Sequence, residues 1–154
     1  MTTAAGSSTS TVTLEHYAPS FSIFNAKYAA AIVITPGAPG NSGNGYDYIG
    51  PSGGLPFTSR PVKAGETVVL YGVGFGPTTP PVPAGAAYSG AAPVRVLPMV
   101  TIGGVPATVS FAGIVQAGLF QLNVIVPSAG SGDRALLASV GGVTTPANVF
   151  LTLQ

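Results

Sequence analysis

An all-β fold, an antiparallel β-sandwich of about nine short strands joined by long Gly/Pro-rich loops, is what this chain predicts. Three observations carry that expectation. Short apolar or alternating runs recur along the whole chain, helical periodicity is almost absent, and 22 Gly and 15 Pro punctuate the runs. The one stretch with a helix-like start, "NAKYAAAIVI" (25–34), runs into β-branched residues and reads as a strand.

Taken in order, "MTTAAGSSTSTVT" (1–13) is small and hydroxylated and reads as a polar N-terminal arm, with residues 14–154 as one sandwich domain. The arm has neither the basic nor the apolar region of a secretory signal, so export would have to be directed from elsewhere. Strands are expected at "TVTL" (11–14), "SIFN" (22–25), "AAIVIT" (30–35), "ETVVLYG" (66–72) and "VRVLPMVTIG" (94–103). Further along they are expected at "ATVSFAG" (107–113), "FQLNVIVP" (120–127), "RALLASVG" (134–141) and "ANVFLTLQ" (147–154). Gly103-Gly104 and Gly141-Gly142 each separate two such runs. Paired glycines meet the positive φ demanded by tight hairpin turns, so both sites predict β-hairpins. In "FQLNVIVP", Phe120, Leu122, Val124 and Val126 share one face, which predicts that this face enters the core. Residues 36–61 and 77–93, rich in Gly, Pro, Ser and Asn, read as long loops.

The stretch "VVLYGVGFGPTTPP" (68–81) places Gly72, Gly74 and Gly76 at alternate positions after a strand. A phosphate-binding loop would lead into a helix N-terminus. Here Pro77, Pro80 and Pro81 follow, and the spacing fits neither nucleotide fingerprint. The glycines are therefore expected to let the backbone bend as it leaves the sheet, with Phe75 plugging the core.

The ordered motifs "VKAGETVVLYGVGFGP", "VTIGGVPATVSFAG", "AGLFQLNVIVPSAGSGD" and "LLASVGGVTTPANVFLTL", with "YAPSFSIFNAKYAAAI" upstream, resemble the C-terminal domain of many large Acidobacteria proteins, the Solibacter-type domain. The second half also resembles TIG domains, which are immunoglobulin-like. The resemblance implies an exported, immunoglobulin-like β-sandwich module without a known set of catalytic residues. It covers about residues 14–154. Such domains normally end a longer polypeptide.

Composition excludes several classes of function. Charged residues make up 6% of the chain, against roughly 25% in an ordinary domain. The five basic residues, Lys27, Arg60, Lys63, Arg95 and Arg134, are scattered singly, which argues against nucleic acid as a partner. The chain has no cysteine, so disulfides, thiolate zinc sites and cysteine nucleophiles are excluded. No apolar run is long enough for a membrane-spanning helix.

Candidate sites are few. His16 is the only histidine, and no nucleophile-elbow motif accompanies it. The acids Glu15, Asp47, Glu66 and Asp133 offer no obvious hydrolytic pair. Neither an enzyme nor a cofactor is expected. In "GNSGNGYD", Asp47 with Asn41 and Asn44 forms a calcium candidate resting on one carboxylate. Tyr46, Asp47 and Tyr48, with Tyr88, form a candidate ligand surface for polysaccharide or a surface protein. Lys27 or Lys63 with Asn123 or Asn148 are candidates for an isopeptide bond.

The function expected is a non-catalytic, extracellular or cell-surface module with a structural, adhesive role. Scarce charge leaves little repulsion between copies, so homo-oligomeric or fibre-like self-association is expected. The alternative is a carbohydrate- or protein-binding accessory module of a larger secreted protein.

Overall fold

In a computed structural model the described residues are 2–3, 6–7 and 9–154. Among the described residues thirteen strands run in order: β1 (Thr2–Thr3), β2 (Gly6–Ser7), β3 (Ser20–Phe21), β4 (Ala31–Ile34), β5 (Tyr46–Tyr48), β6 (Thr67–Val73) and β7 (Ser89–Pro93). They continue with β8 (Met99–Ile102), β9 (Val105–Gln116), β10 (Leu119–Ile125), β11 (Gly132–Val140), β12 (Val143–Thr144) and β13 (Phe150–Leu153). The described residues contain no helix. The fold is all-β, and every named strand pair is antiparallel.

Two layers pack over one core. The first has the order β5-β4-β6-β10-β9-β7, with β3 alongside β6. The second is built from β12, β13, β11, β8 and the start of β9. The strand β9 serves both. Its residues 105–107 pair with β8, and its residues 108–116 pair with β10. A register shift opposite Asn123/Val124 places the extra residue at Ser110, just beyond the changeover at 107/108. The extra residue of a bulge bends and twists a strand, which is how one strand turns a corner between sheets. Leu70, Phe75 and Leu122 from the first layer meet Ile102, Leu136 and Leu151 from the second in a single buried cluster.

The strand β13 is held on both sides. It pairs with residues 132–135 of β11, and backbone bonds join Ala29 N–H to Phe150 C=O and Val62 N–H to Thr152 C=O. Its Leu151 and Leu153 are consequently buried.

Most expected strands form, and the departures have local causes. The run "TVTL" (11–14) makes no strand. No neighbouring backbone offers it a ladder, and Val12 and Leu14 are 76% and 93% exposed. "SIFN" gives way to β3 two residues earlier, because the Asn25 side-chain oxygen accepts from the Lys27 and Tyr28 amides and turns the chain. "VRVLPMVTIG" divides at Pro98, which has no N–H to donate, so the strand proper is Met99–Ile102. Within the two stretches read as loops the structure holds β5 and β7. Of the arm, Met1, Ala4, Ala5 and Ser8 lie outside the described residues. Elsewhere in the arm, β1 pairs with β2 in a separate two-stranded sheet.

Both Gly-Gly pairs form hairpin turns, between β8 and β9 and between β11 and β12, with positive φ at all four glycines. The face of β10 also falls as its alternation predicts, with Phe120, Leu122, Val124 and Val126 buried. The glycine stretch at 72–76 leads into no helix. Phe75 is fully buried between Phe21 and Phe120, at ring distances of 5.6 and 5.9 Å. Gly74 has φ of +74°, and its Cα faces the Ala18 carbonyl so closely that a Cβ there would overlap it. That approach lets Ala18 N–H donate to the Gly74 carbonyl at 3.0 Å and seats β3 on the sheet.

Gly74→Ala is accordingly expected to lower unfolding stability by about 2–4 kcal/mol, combining left-handed strain with a backbone overlap. Gly118→Ala, at a similar φ of +73° with open space around it, is expected to cost only about 1 kcal/mol. Urea titration of both variants checks this, and equal midpoints would refute the close approach as the cause.

Candidate functional site

The β4–β5 connection contains the first candidate site. Its chain folds back on itself, with Gly45 N–H donating to Pro39 C=O and Ser42 Oγ donating to Tyr46 C=O at 2.6 Å. Asn41 then acts as a short pseudo-strand beside β5. Its Oδ1 accepts from Tyr48 N–H at 2.7 Å, and its Nδ2 donates to Tyr48 C=O at 3.2 Å. Farther along the same edge, Arg60 N–H donates to Tyr48 C=O and Gly50 N–H donates to Arg60 C=O. The edge of β5 is therefore covered by its own loop and by the chain near Arg60.

Successive side chains on a strand alternate, so Tyr46 and Tyr48 share one face and Asp47 takes the other. On the Asp47 side, Arg60 Nε donates to Asp47 Oδ2 at 2.6 Å, and Asn41 N–H donates to Oδ1 at 2.6 Å. The rest of the guanidinium grips Glu66, with Nη1 donating to Oε2 at 2.9 Å and Nη2 donating to Oε1 at 2.8 Å. Glu66 also accepts from Lys63 N–H. Such a fork fixes both partners in direction as well as distance. Burial pushes the Asp47 carboxyl up, but hydrogen bonds from Arg60 and the Asn41 amide outweigh it and hold the group below its ordinary 3.8. Glu66 is held below its ordinary 4.5, chiefly by Arg60.

This geometry decides how the acids are used. Both Asp47 oxygens are engaged, both ends of the Asn41 amide serve Tyr48, and Asn44 Nδ2 donates to Ser42 C=O. The three residues of the calcium candidate thus meet as a loop clasp, with the Asp47 and Asn41 side-chain oxygens directed at the protein. Among the described residues, no three His, Cys, Asp or Glu side chains gather as a metal set. Asp133 lies elsewhere, accepting from Lys27 Nζ at 2.8 Å, Tyr28 Oη at 2.9 Å and Thr152 Oγ1 at 2.8 Å. His16 and Glu15 are exposed. Of the isopeptide candidates, Lys27 Nζ is paired with Asp133 and the Asn123 amide oxygen accepts from Gln121 Nε2.

The Tyr46–Tyr48 face carries an aromatic platform. The two hydroxyls lie 3.2 Å apart, with the rings edge-to-face at 5.2 Å. Tyr48 packs on Phe57 at 4.6 Å and on Phe24 at 5.8 Å. All four rings are half-buried. The Tyr48 phenol is raised, first by the hydrogen bond with Tyr46 and then by burial, so it stays protonated and available to donate. Tyr88 does not join this group. It precedes β7, at the opposite edge of the first layer, roughly 24 Å away at about 4.8 Å per strand step. Arg60, Phe24 and Phe57 were not legible as site residues, since nothing near them in sequence marks a partnership with β5.

A second feature lies on the outer face of the other layer. Register places Met99 opposite Ser139, Thr101 opposite Leu137 and Pro106, and Ser139 opposite Thr144. Directly opposed residues share a face. Their neighbours Val100, Ile102, Leu136 and Ala138 are buried in the core, so this set points outward. Together with Leu97 and Pro98 it forms an open groove of about 440 Å³ with no charged side chain in its lining.

Replacing Arg60 with Met is expected to strand two carboxylates and to lower stability at neutral pH by about 1–2 kcal/mol, given partial solvent screening. Asp47 and Glu66 have depressed values in the folded state, so their contribution is present above pH 4.5 and lost as pH falls through the folded values. Wild-type stability should therefore decline on acidification below that point, and the decline should be shallower in Arg60→Met; parallel pH profiles from chemical denaturation would refute the assignment. In the comparisons with known proteins, no family model, curated protein or solved structure matches this chain.

Proposed function

We propose that this chain is a non-catalytic β-sandwich module, extracellular or on the cell surface, whose role is structural and adhesive and which associates with copies of itself. The observation that carries the reading is the uncharged groove on the outer face of β8, β11 and the start of β9. An outward sheet face on a monomer ordinarily alternates to polar and charged side chains, and an exposed apolar patch commonly marks a contact surface. Here Leu97 and Met99 are 56% and 73% exposed beside uncharged neighbours. Three of the four acids, Asp47, Glu66 and Asp133, are in ion pairs, so little net field opposes the approach of another copy. The placement outside the cell rests on the motif resemblance to exported Solibacter-type and TIG-like modules.

A second reading has its own support. Tyr46, Tyr48, Phe24 and Phe57 make a fixed aromatic platform with two hydroxyls at its rim, and a depression lined by Ser52, Leu55, Phe57, Thr58 and Ser59 adjoins it. Flat rings with polar tips suit a carbohydrate face or a partner protein. On this reading the chain is the binding accessory of a larger secreted protein.

Concentration-dependent light scattering separates the two. Self-association is expected to grow with concentration and to survive raised salt, since charge contributes little. A monomer at every concentration would overturn the first reading. Glycan-array binding that is lost in Tyr46→Ala and Tyr48→Ala would favour the second.

A further inference from the structure

We propose that the groove on the outer face of β8 and β11 receives residues 11–14 of a second copy of this chain, and that the exchange is reciprocal. This inference rests on the self-association reading and specifies its contact.

The first support is the position of the arm's root. The Tyr17 ring packs so closely on Gly76 and on Gly141 that a Cβ at either glycine would overlap it. Gly141 belongs to the turn between β11 and β12, and Ser139 and Thr144 on those strands line the groove. The arm is thus anchored at the rim of the groove. The root of the donor segment and the acceptor surface therefore share one end of the molecule, so a two-fold axis can let two copies serve each other in a closed dimer.

The second support is the arm itself. In "TVTL", Val12 and Leu14 are two apart, so they share one side of an extended chain, with Thr11 and Thr13 on the other. Leu14 is 93% exposed and Val12 76% exposed, so the structure leaves both without packing partners. Neither segment 11–14 nor the groove lining carries a charge, so no desolvated ion opposes docking.

The third support is length. The groove crosses β12, β11, β8 and β9, about 14 Å at three strand spacings, and four extended residues span about 13 Å. From Tyr17 to Leu14 is a further reach of about 10 Å. One arm docked one way would bury less than the roughly 1,200 Å² typical of a stable pair, so two reciprocal arms are needed to approach it.

The absence of cysteine makes a clean test available. Leu14→Cys and Met99→Cys, both at exposed positions, are prepared as separate proteins, mixed and mildly oxidised, and wild-type association is measured in parallel by light scattering. A covalent heterodimer linking the two variants is the expected result, and Leu14→Ser is expected to weaken association about tenfold or more. A double variant that closes its bond internally would overturn the proposal, because the arm would then fill its own groove. Disulfide pairing of Met99→Cys with itself would also overturn it, showing that outer faces stack directly. Association without any arm-to-groove bond would remove this contact and leave the self-association reading standing. A wild-type chain that stays monomeric would remove both.

Discussion

The sandwich depends on one strand that belongs to both layers. β9 begins beside β8 in one layer and ends between β7 and β10 in the other. A strand shared in this way fixes how far apart the layers sit and which side chains oppose one another. The core is then filled by alternation alone: β10 contributes Phe120, Leu122 and Val124, and β11 contributes Leu136, Ala138 and Val140. Phe75 closes one end because Gly74 and Gly76 allow the chain to turn over it. The glycines that resemble a nucleotide loop on paper are packing devices.

Scarce charge is used sparingly and locally. Arg60 joins two carboxylates from different segments and thereby ties the β4–β5 loop to the approach of β6. Asp133 gathers Lys27, Tyr28 and Thr152 at the other end of β13. In each case a carboxylate is surrounded by donors from distant parts of the chain. Acids so placed are poor candidates for proton transfer, because their hydrogen-bonding capacity is already committed.

Much of this architecture was legible in the residues. Periodicity two in β10, paired glycines in two hairpins and the burial of Phe75 all follow from rules that act within a few residues. What was hidden depends on distance. β5 reads "YDY" inside a glycine-rich stretch, and it becomes a strand only because Ile32 to Ile34 of β4 provide a ladder. "TVTL" has the composition of a strand and lacks the partner. The candidate ligand residues separated for the same reason: Tyr46 and Tyr48 follow from alternation, while the remoteness of Tyr88 follows from strand order, which no local pattern records. Arg60 lies thirteen residues from Asp47, and only the folded loop brings them together.

The C-terminal strand carries a kinetic consequence. Because β13 lies between β11 and the segments around Ala29 and Val62, those two segments cannot complete their hydrogen bonding until residues 150–153 have been synthesised. Loop closure over such separations is slow, so the nascent chain must wait with its apolar edges unsealed. Unpaired strand edges are templates for pairing with other chains, so that interval, before β13 slides into place, is when the chain is most exposed to wrong partners.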